Sequence, residues 1–205
     1  MLSKETKKHT KEEESPLISI ITPLYNAESF VSETIKSILD QSYPNWEQII
    51  VDDASTDNSL QIALSFAEKD ERIKVEKLSQ NRGAAYCRNL ATELAAGDYI
   101  AFLDSDDLWH PDKLKNQLEF MQNNQCDVSF SNYLHINENG ELFGKRIKAL
   151  KKLSFKKQHR NNYIGNLTGM YRAQTIGKIA SPNIRKRQDW AVWLEAIKRS
   201  PKPAM

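Results

Sequence analysis

Three carboxylates, Asp104, Asp106 and Asp107, stand within four residues, directly after an apolar run from Tyr99 to Leu103. Acids this close repel one another, and at the end of a buried strand they are costly to desolvate. Residues i and i+2 of an extended stretch point to the same side, so Asp104 and Asp106 are expected to converge, with Ser105 between them. Convergent carboxylates call for a hard cation such as Mg²⁺ or Mn²⁺. Such an ion takes one or two protein oxygens and completes its shell with water and phosphate oxygens. The plainer alternative is capping of the next helix at its positive end, which suits Asp107 ahead of Pro111 but does not need three acids.

Other residues add to this chemistry. Asp52 closes an apolar stretch and could accept hydrogen bonds from a base or sugar, whereas Asp53 could equally open a turn or cap a helix. Pro23 and Tyr25 could wall a planar base, or simply turn the chain. Arg82 and Arg88 suit phosphates or neighbouring acids. Asp189 is the first acid after Glu141 and lies among basic residues in "RKRQDW". Positive surroundings keep a carboxylate ionised, as a general base must be, though they also weaken it as a base. An acid favoured at a helix N-terminus is the competing explanation.

The elements that must position these residues follow from periodicity. An apolar run at 17–22, stopped by Pro23, reads as a strand. Phe30, Val31, Ile35, Ile38 and Leu39 recur at helical spacing until Pro44. "WEQIIVDD" is a second strand, and "STDNSLQIALSFAEKD" a helix with cap candidates Ser55, Thr56 and Asp57. "RIKVEKL" is a third strand, and "GAAYCRNLATELAA" a third helix closed by Gly97. "DYIAFLD" is a fourth strand, and "HPDKLKNQLEFMQNN" a fourth helix with Pro111 at its tolerant start. This alternation predicts an α/β fold, a mostly parallel twisted sheet covered by helices on both faces. Ligands of such sheets bind at the carboxyl ends of the strands, where the groups named above other than Asp189 fall. Further on, "CDVSFSNYLHI" reads as one strand, Asn139-Gly140 as a hairpin turn and "GNLTGMYR" as a short strand near the site. A last helix, "RQDWAVWLEAIKR", places Trp190, Trp193, Leu194 and Ile197 on one face.

Composition excludes several classes. With 40% hydrophobic and 27% charged residues, a 205-residue chain can bury a core. No apolar run approaches the ~18 residues of a membrane span, and the charged N-terminus, without an apolar stretch, is not expected to be a signal peptide. Cys87 and Cys126 read as reduced thiols of a cytosolic protein, and no repeat suggests a solenoid. Charge is divided: residues 1–141 carry 13 Lys/Arg against 25 Asp/Glu, and 142–205 carry 16 against 2. The basic stretch at 145–160, with apolar residues interleaved, is expected to touch an anionic membrane surface peripherally. No nucleic-acid motif accompanies the charge, so nucleic acid is not an expected partner.

In their order, these segments resemble the family 2 glycosyltransferases of the GT-A fold. The match is carried by "SIITPLYNAESFVSETIKSILDQSYPNWEQIIVDDASTDNS", by "NRGAAYCRNLATELAAGDYIAFLDSDDLWHPDKL" and, more weakly, by "GNLTGMYRAQTIGKI" through "RQDWAVWL". The resemblance implies inverting transfer of a sugar from a nucleoside-diphosphate-sugar, most often UDP-linked, to an acceptor hydroxyl with Mn²⁺ or Mg²⁺. Its expected setting is bacterial cell-surface polysaccharide or lipid-linked glycan synthesis, in the cytoplasm or at the inner face of the membrane, on a glycan or lipid-linked acceptor. It also implies one domain at 16–205; residues 1–15, of mixed charge and without periodicity, read as a disordered tail. That domain comprises a Rossmann-like nucleotide-sugar-binding half at 16–110 and a shorter mixed acceptor half at 111–205. By position, Pro23, Tyr25, Asp52 and Asp53 would hold base and ribose, and Arg82 and Arg88 would lie near the base or diphosphate. Asp104, with Ser105 beside it, would face the ribose, Asp106 would bind the metal, and Asp189 would be the general base. Relatives continue beyond the "QDW" helix, so the acceptor half is expected to be truncated. The rival reading is a catalytically impaired nucleotide-binding protein. A phosphohydrolase fits less well, because its nucleophilic DxD aspartate would follow the first strand.

Overall fold

The computed structural model describes residues 15–184 and 186–205. Apart from Ser15, the predicted charged tail lies outside the described residues, as does Arg185 of the basic run. In chain order the elements are β1 (Ile18–Leu24), α1 (Val31–Leu39), β2 (Trp46–Asp52), α2 (Ser59–Ala67), β3 (Ile73–Lys77), α3 (Ala84–Leu94), β4 (Tyr99–Phe102) and α4 (Lys113–Asn124). There follow β5 (Val128–Ser129), β6 (Tyr133–Ile136), β7 (Leu142–Ile147), α5 (Phe155–Gln158), β8 (Met170–Arg172), α6 (Ala173–Ile176) and α7 (Gln188–Arg199). The large sheet runs β3-β2-β1-β4-β8-β5, and β6 and β7 form a separate hairpin. β1 to β4 are mutually parallel, while β8 enters antiparallel between β4 and β5.

Alternation along the central strands sorts the core into two layers. Ile18, Ile20, Trp46, Ile50, Tyr99 and Ala101 pack with α1, α2 and α4. Ile21, Ile49, Val51, Ile100 and Phe102 face the other way, onto α3, α6 and α7. The inward face of α7 is Val192, Trp193, Ala196 and Ile197, so Trp190 and Leu194 flank it half-buried and Val192 joins it. Trp193 meets Phe102 edge-on, with ring centroids 5.5 Å apart, and Tyr171 at 6.2 Å. Gly169 makes room for that indole: a Cβ there would lie 2.2 Å from two of its carbons.

Several local expectations differ from the structure. α2 starts at Ser59, later than the Ser55–Asp57 cap candidates allow; Asp57 instead accepts from the Ser59 N–H (3.0 Å) and hydroxyl (2.5 Å). Gly97 is not the left-handed residue closing α3, which ends at Leu94. A Cβ at Gly97 would lie 2.6–2.8 Å from Ser19 and the Leu17 carbonyl, so close approach is what requires glycine there. "CDVSFSNYLHI" is divided: β5 joins the large sheet, and β6 leaves it to pair with β7. The basic stretch is likewise not one amphipathic element. It passes from β7 through irregular chain to the single turn of α5, with Leu150 and Leu153 packed into the core while Ile147 and Phe155 stay exposed.

At the amino end of the sheet, Glu47 ties three elements together. It accepts from the Ser19 hydroxyl (2.6 Å), the Ala96 N–H (2.7 Å) and the Lys74 ammonium (2.6 Å). Burial alone would raise its pKa, but these hydrogen bonds hold it below the ordinary glutamate value. A depressed folded-state pKa stabilises above the unfolded value, near pH 4.5, and that contribution is lost as pH falls through the folded value. Glu47→Gln should therefore lower Tm at neutral pH and flatten the acid limb of a Tm–pH curve. Gly169→Ala should destabilise by about 1–3 kcal/mol or more, because the rigid indole has nowhere to go. Chemical denaturation of the two proteins measures this directly.

Candidate active site

β1, β2 and β4 end together, and their carboxyl ends open into one cleft of about 710 Å³. That is the size of a small-molecule site, at the place where open α/β sheets bind ligands. Pro23, Tyr25, Asp53, Arg88, Asp104 and Ser105 all line it. Tyr25 is about half exposed (49%), which leaves its ring face available to a planar group.

The cleft is shaped by side chains that bind backbone. The Asp53 carboxylate accepts from the N–H groups of Arg82 (2.6 Å) and Gly83 (2.8 Å), fastening the start of α3 to the end of β2. Gly83 allows this turn through its φ of +87°. Asp52 is fully buried: one carboxylate oxygen accepts from the Ser55 N–H (3.2 Å), and the other has no partner among the described residues. Asn26 and Ser55 lace the two loops together, Asn26 Oδ1 accepting from the Thr56 N–H (2.9 Å) and Ser55 Oγ from the Asn26 N–H (3.1 Å). Arg82 is exposed, its guanidinium 3.7 Å from the centre of the Tyr86 ring, and does not line the cleft. Cys87 does line it, but burial, reinforced by Asp53, pushes its thiol up to about 12. Both cysteines are free and buried, in keeping with reduced thiols.

The acidic stretch is a turn, not a continuation of the strand. The Asp107 N–H donates to the Asp104 carbonyl (3.1 Å), and the Thr34 hydroxyl of α1 braces the Ser105 carbonyl (3.0 Å). Strand alternation therefore does not bring Asp104 and Asp106 together. Asp104 faces the main cleft, whereas Asp106 is exposed and lines an adjoining groove with Thr34, Leu108 and the turn of the β6–β7 hairpin. Among the described residues no three His, Cys, Asp or Glu side chains converge as a metal cage. The donor set still fits a hard divalent cation. Burial, with the Asp104 and Asp106 carboxylates close by, pushes the Asp107 carboxyl up to about 7. The turn thus carries negative charge with too little compensation, as expected beside a cation that takes one protein oxygen and several from water and phosphate.

Asp104 is where the two halves of the chain meet. Its Oδ1 accepts from Arg88 (2.7 Å) and from Asn166 Nδ2 (3.3 Å). Arg88 also donates to Gln188 Oε1 (3.0 Å), at the first residue of α7. Asp189 follows, half-buried, and its Oδ2 accepts from Asn162 Nδ2 (2.8 Å). Asn162 is itself oriented, since its Oδ1 accepts from Gln158 Nε2 (3.1 Å) and the Ile164 N–H (3.3 Å). Asp189 therefore stands beside the cleft through Gln188 and Arg88, and does not line it. Asn162, Asn166 and Gln188 were not singled out from sequence. Gln188 carried a signal, its place beside Asp189, and Asn166 lay in the quoted "GNLTGMYR" segment, whereas Asn162 sits in a loop with no motif of its own.

Comparison with known proteins assigns the family and the fold. The family model "Glycosyl transferase family 2" matches residues 19–179. A putative teichuronic acid biosynthesis glycosyltransferase, TuaG of Bacillus subtilis, is 48% identical over 184 residues, which cover 90% of this chain and 73% of that protein. The Escherichia coli protein WfgD, a UDP-Glc:alpha-D-GlcNAc-diphosphoundecaprenol beta-1,3-glucosyltransferase, is 40% identical over 182 residues, 89% of this chain and 70% of its own. Among solved structures, S. aureus TarS in complex with UDP-GlcNAc superposes with a TM-score of 0.76 at 26% identity. That match takes in 92% of this chain, but the chain spans only 55% of the TarS chain. A mostly parallel sheet flanked by helices, with polar chemistry gathered at its strand ends, is the GT-A fold, and the chain belongs to glycosyltransferase family 2.

Proposed function

We propose that this chain transfers a sugar from a UDP-linked donor to an acceptor hydroxyl with inversion, in bacterial cell-surface polysaccharide or lipid-linked glycan synthesis. The observation that carries the reading is the single cleft on which Pro23, Tyr25, Asp53, Arg88, Asp104 and Ser105 converge from four separate segments. The names of TuaG, WfgD and the UDP-GlcNAc complex of TarS support the donor and the setting.

In this reading Tyr25 and Pro23 flank the base, and the unpartnered oxygen of buried Asp52 awaits a donor from the nucleotide. Asp53 positions the loop carrying Arg82, while Arg88 holds Asp104 in a fixed rotamer beside the donor. Asp106 would hold Mn²⁺ or Mg²⁺, which when bound neutralises the diphosphate and stabilises charge on the leaving group. Asp189 takes the proton of the attacking acceptor hydroxyl, and one displacement by that oxygen inverts the anomeric centre. Peripheral contact with an anionic membrane belongs to the same proposal: Lys145, Arg146 and Lys148 are exposed beside Ile147.

UDP with Mn²⁺ should raise the melting temperature of the full chain. At ~100 times its dissociation constant a ligand adds about 2.7 kcal/mol. Asp106→Ala should remove that shift while leaving the ligand-free melting temperature nearly unchanged. If no nucleoside diphosphate moves Tm, the donor-site assignment is wrong. Asp189→Asn should keep the UDP–Mn²⁺ shift and lower sugar transfer by about 10²–10⁴-fold. Transfer at the parental rate would remove Asp189 from the role of base, and nucleotide binding without transfer in the parent chain would favour the impaired rival.

A further inference from the structure

A second cleft, of about 400 Å³, lies between the start of α4 and the β6–β7 hairpin. Its lining is largely apolar, with Trp109, Tyr133, Leu134 and Leu142 forming much of the wall and Asp107 and His110 closing an edge. Two cations join them, Lys113 from α4 and Arg146 from β7. Lys113 is unusual. Part of its stem is exposed, yet its ammonium nitrogen is shut off from solvent 3.7 Å from the centre of the Trp109 ring. It has no hydrogen-bond or ion-pair partner among the described residues. Burial pushes it down to about 7. A desolvated ammonium without an anion is costly, and cation–π attraction offsets only part of that.

We propose that this cleft seats the phosphate of a lipid-linked acceptor, with Arg146 on the anion, the Lys113 ammonium turning from the Trp109 ring onto it, and the hairpin's apolar side chains along the chain attached to it. The chemistry of the walls selects the ligand. An inorganic anion would satisfy the cations and leave the rings unused, and a neutral lipid would leave Lys113 unpartnered. A phosphate or diphosphate ester carrying an apolar tail uses both. The hairpin extends the apolar path outward, with Leu134, Leu142, Phe143 and Ile147 between 41% and 68% exposed. Rim and floor therefore match a ligand presented from a membrane surface. The inference rests on the glycosyltransferase reading, which supplies the acceptor, but this cleft shares no lining residue with the main cleft at the strand ends and can be tested apart from it.

The probe is geranyl diphosphate, added to the full chain already saturated with UDP and Mn²⁺ so that its diphosphate cannot report on the donor site. It should raise Tm further and bind with a measurable dissociation constant by calorimetry. Inorganic diphosphate and geraniol, each alone at the same concentration, should do markedly less. Lys113→Met should weaken geranyl diphosphate by about tenfold or more, the worth of a charge-assisted hydrogen bond. The UDP–Mn²⁺ shift should be unaltered, and the ligand-free protein as stable as the parent or more so, because an unpaired buried charge is gone. Arg146→Gln, on the exposed hairpin, should weaken the probe without touching the fold, and it decides the matter if Lys113→Met does not fold. Equal binding of geranyl diphosphate by parent and variants, or a response no larger than that to inorganic diphosphate, overturns the proposal. A chain that ignores UDP yet binds geranyl diphosphate through Lys113 would sink the donor reading and leave the cleft standing.

Discussion

Strands buried on both faces leave polar chemistry nowhere to go but their ends. Every residue of β1, β2 and β4 is buried, with helices over each side. A carboxylate along such a strand would have to be satisfied in place, as Glu47 is by three donors, or be expelled. Where the strands stop, loops bring water, backbone N–H groups and arginines within reach. Asp52, Asp53 and Asp104 all stand at that boundary. The cleft is thus a consequence of the core: a parallel sheet ends its strands side by side, and the residues it cannot bury collect there.

Holding that boundary open takes more than the sheet. Asp53 uses both carboxylate oxygens on the backbone of the next loop. Thr34 reaches from α1 to the acidic turn, and the Trp109 N–H donates to Ser37 of the same helix (3.3 Å). The late segment is bound in by packing and polarity together. Trp193 sits over Gly169 against Phe102 and Tyr171, which fixes α7 on the second face of the sheet. Gln188 then reaches Arg88, and Arg88 reaches Asp104. Arg88 and Asn166, from distant parts of the chain, so meet at the Asp104 carboxylate, and Gln188 is linked to it through Arg88.

The division of charge in the sequence acquires a spatial meaning. The acidic half supplies the strand ends, whose carboxylates suit a cation and backbone N–H groups. The basic half supplies β7, the second strand of the hairpin, and the approach to α7, with Lys145, Arg146 and Lys148 exposed. Between them lies Lys113 at the start of α4, its ammonium against the Trp109 ring and without a hydrogen-bond or ion-pair partner among the described residues. In the proposed readings, the acidic side takes the donor through a metal and the β7 side takes the acceptor's phosphate through side chains.

Alternation and apolar runs determined the four strand–helix units, the parallel sheet and the placing of Asp52, Asp53 and Asp104 at strand ends, because burial on two faces writes a local pattern. That pattern fails where a segment's partner is distant. "CDVSFSNYLHI" is uniformly strand-like, yet β5 and β6 part because β8, some forty residues later, takes the place beside β4. The i, i+2 rule aligned Asp104 with Asp106 only while the chain was taken as extended; a turn braced from α1 aims them into different grooves. Gly97 and Gly169 look alike in sequence, but one is required by the Ser19 backbone and the other by an indole. The pairing of Asn166 with Asp104, the orientation of Asp189 by Asn162 and the isolation of Lys113 were decided by the tertiary structure alone. Each depends on which side chains arrive at one point from far along the chain, and no local periodicity records that.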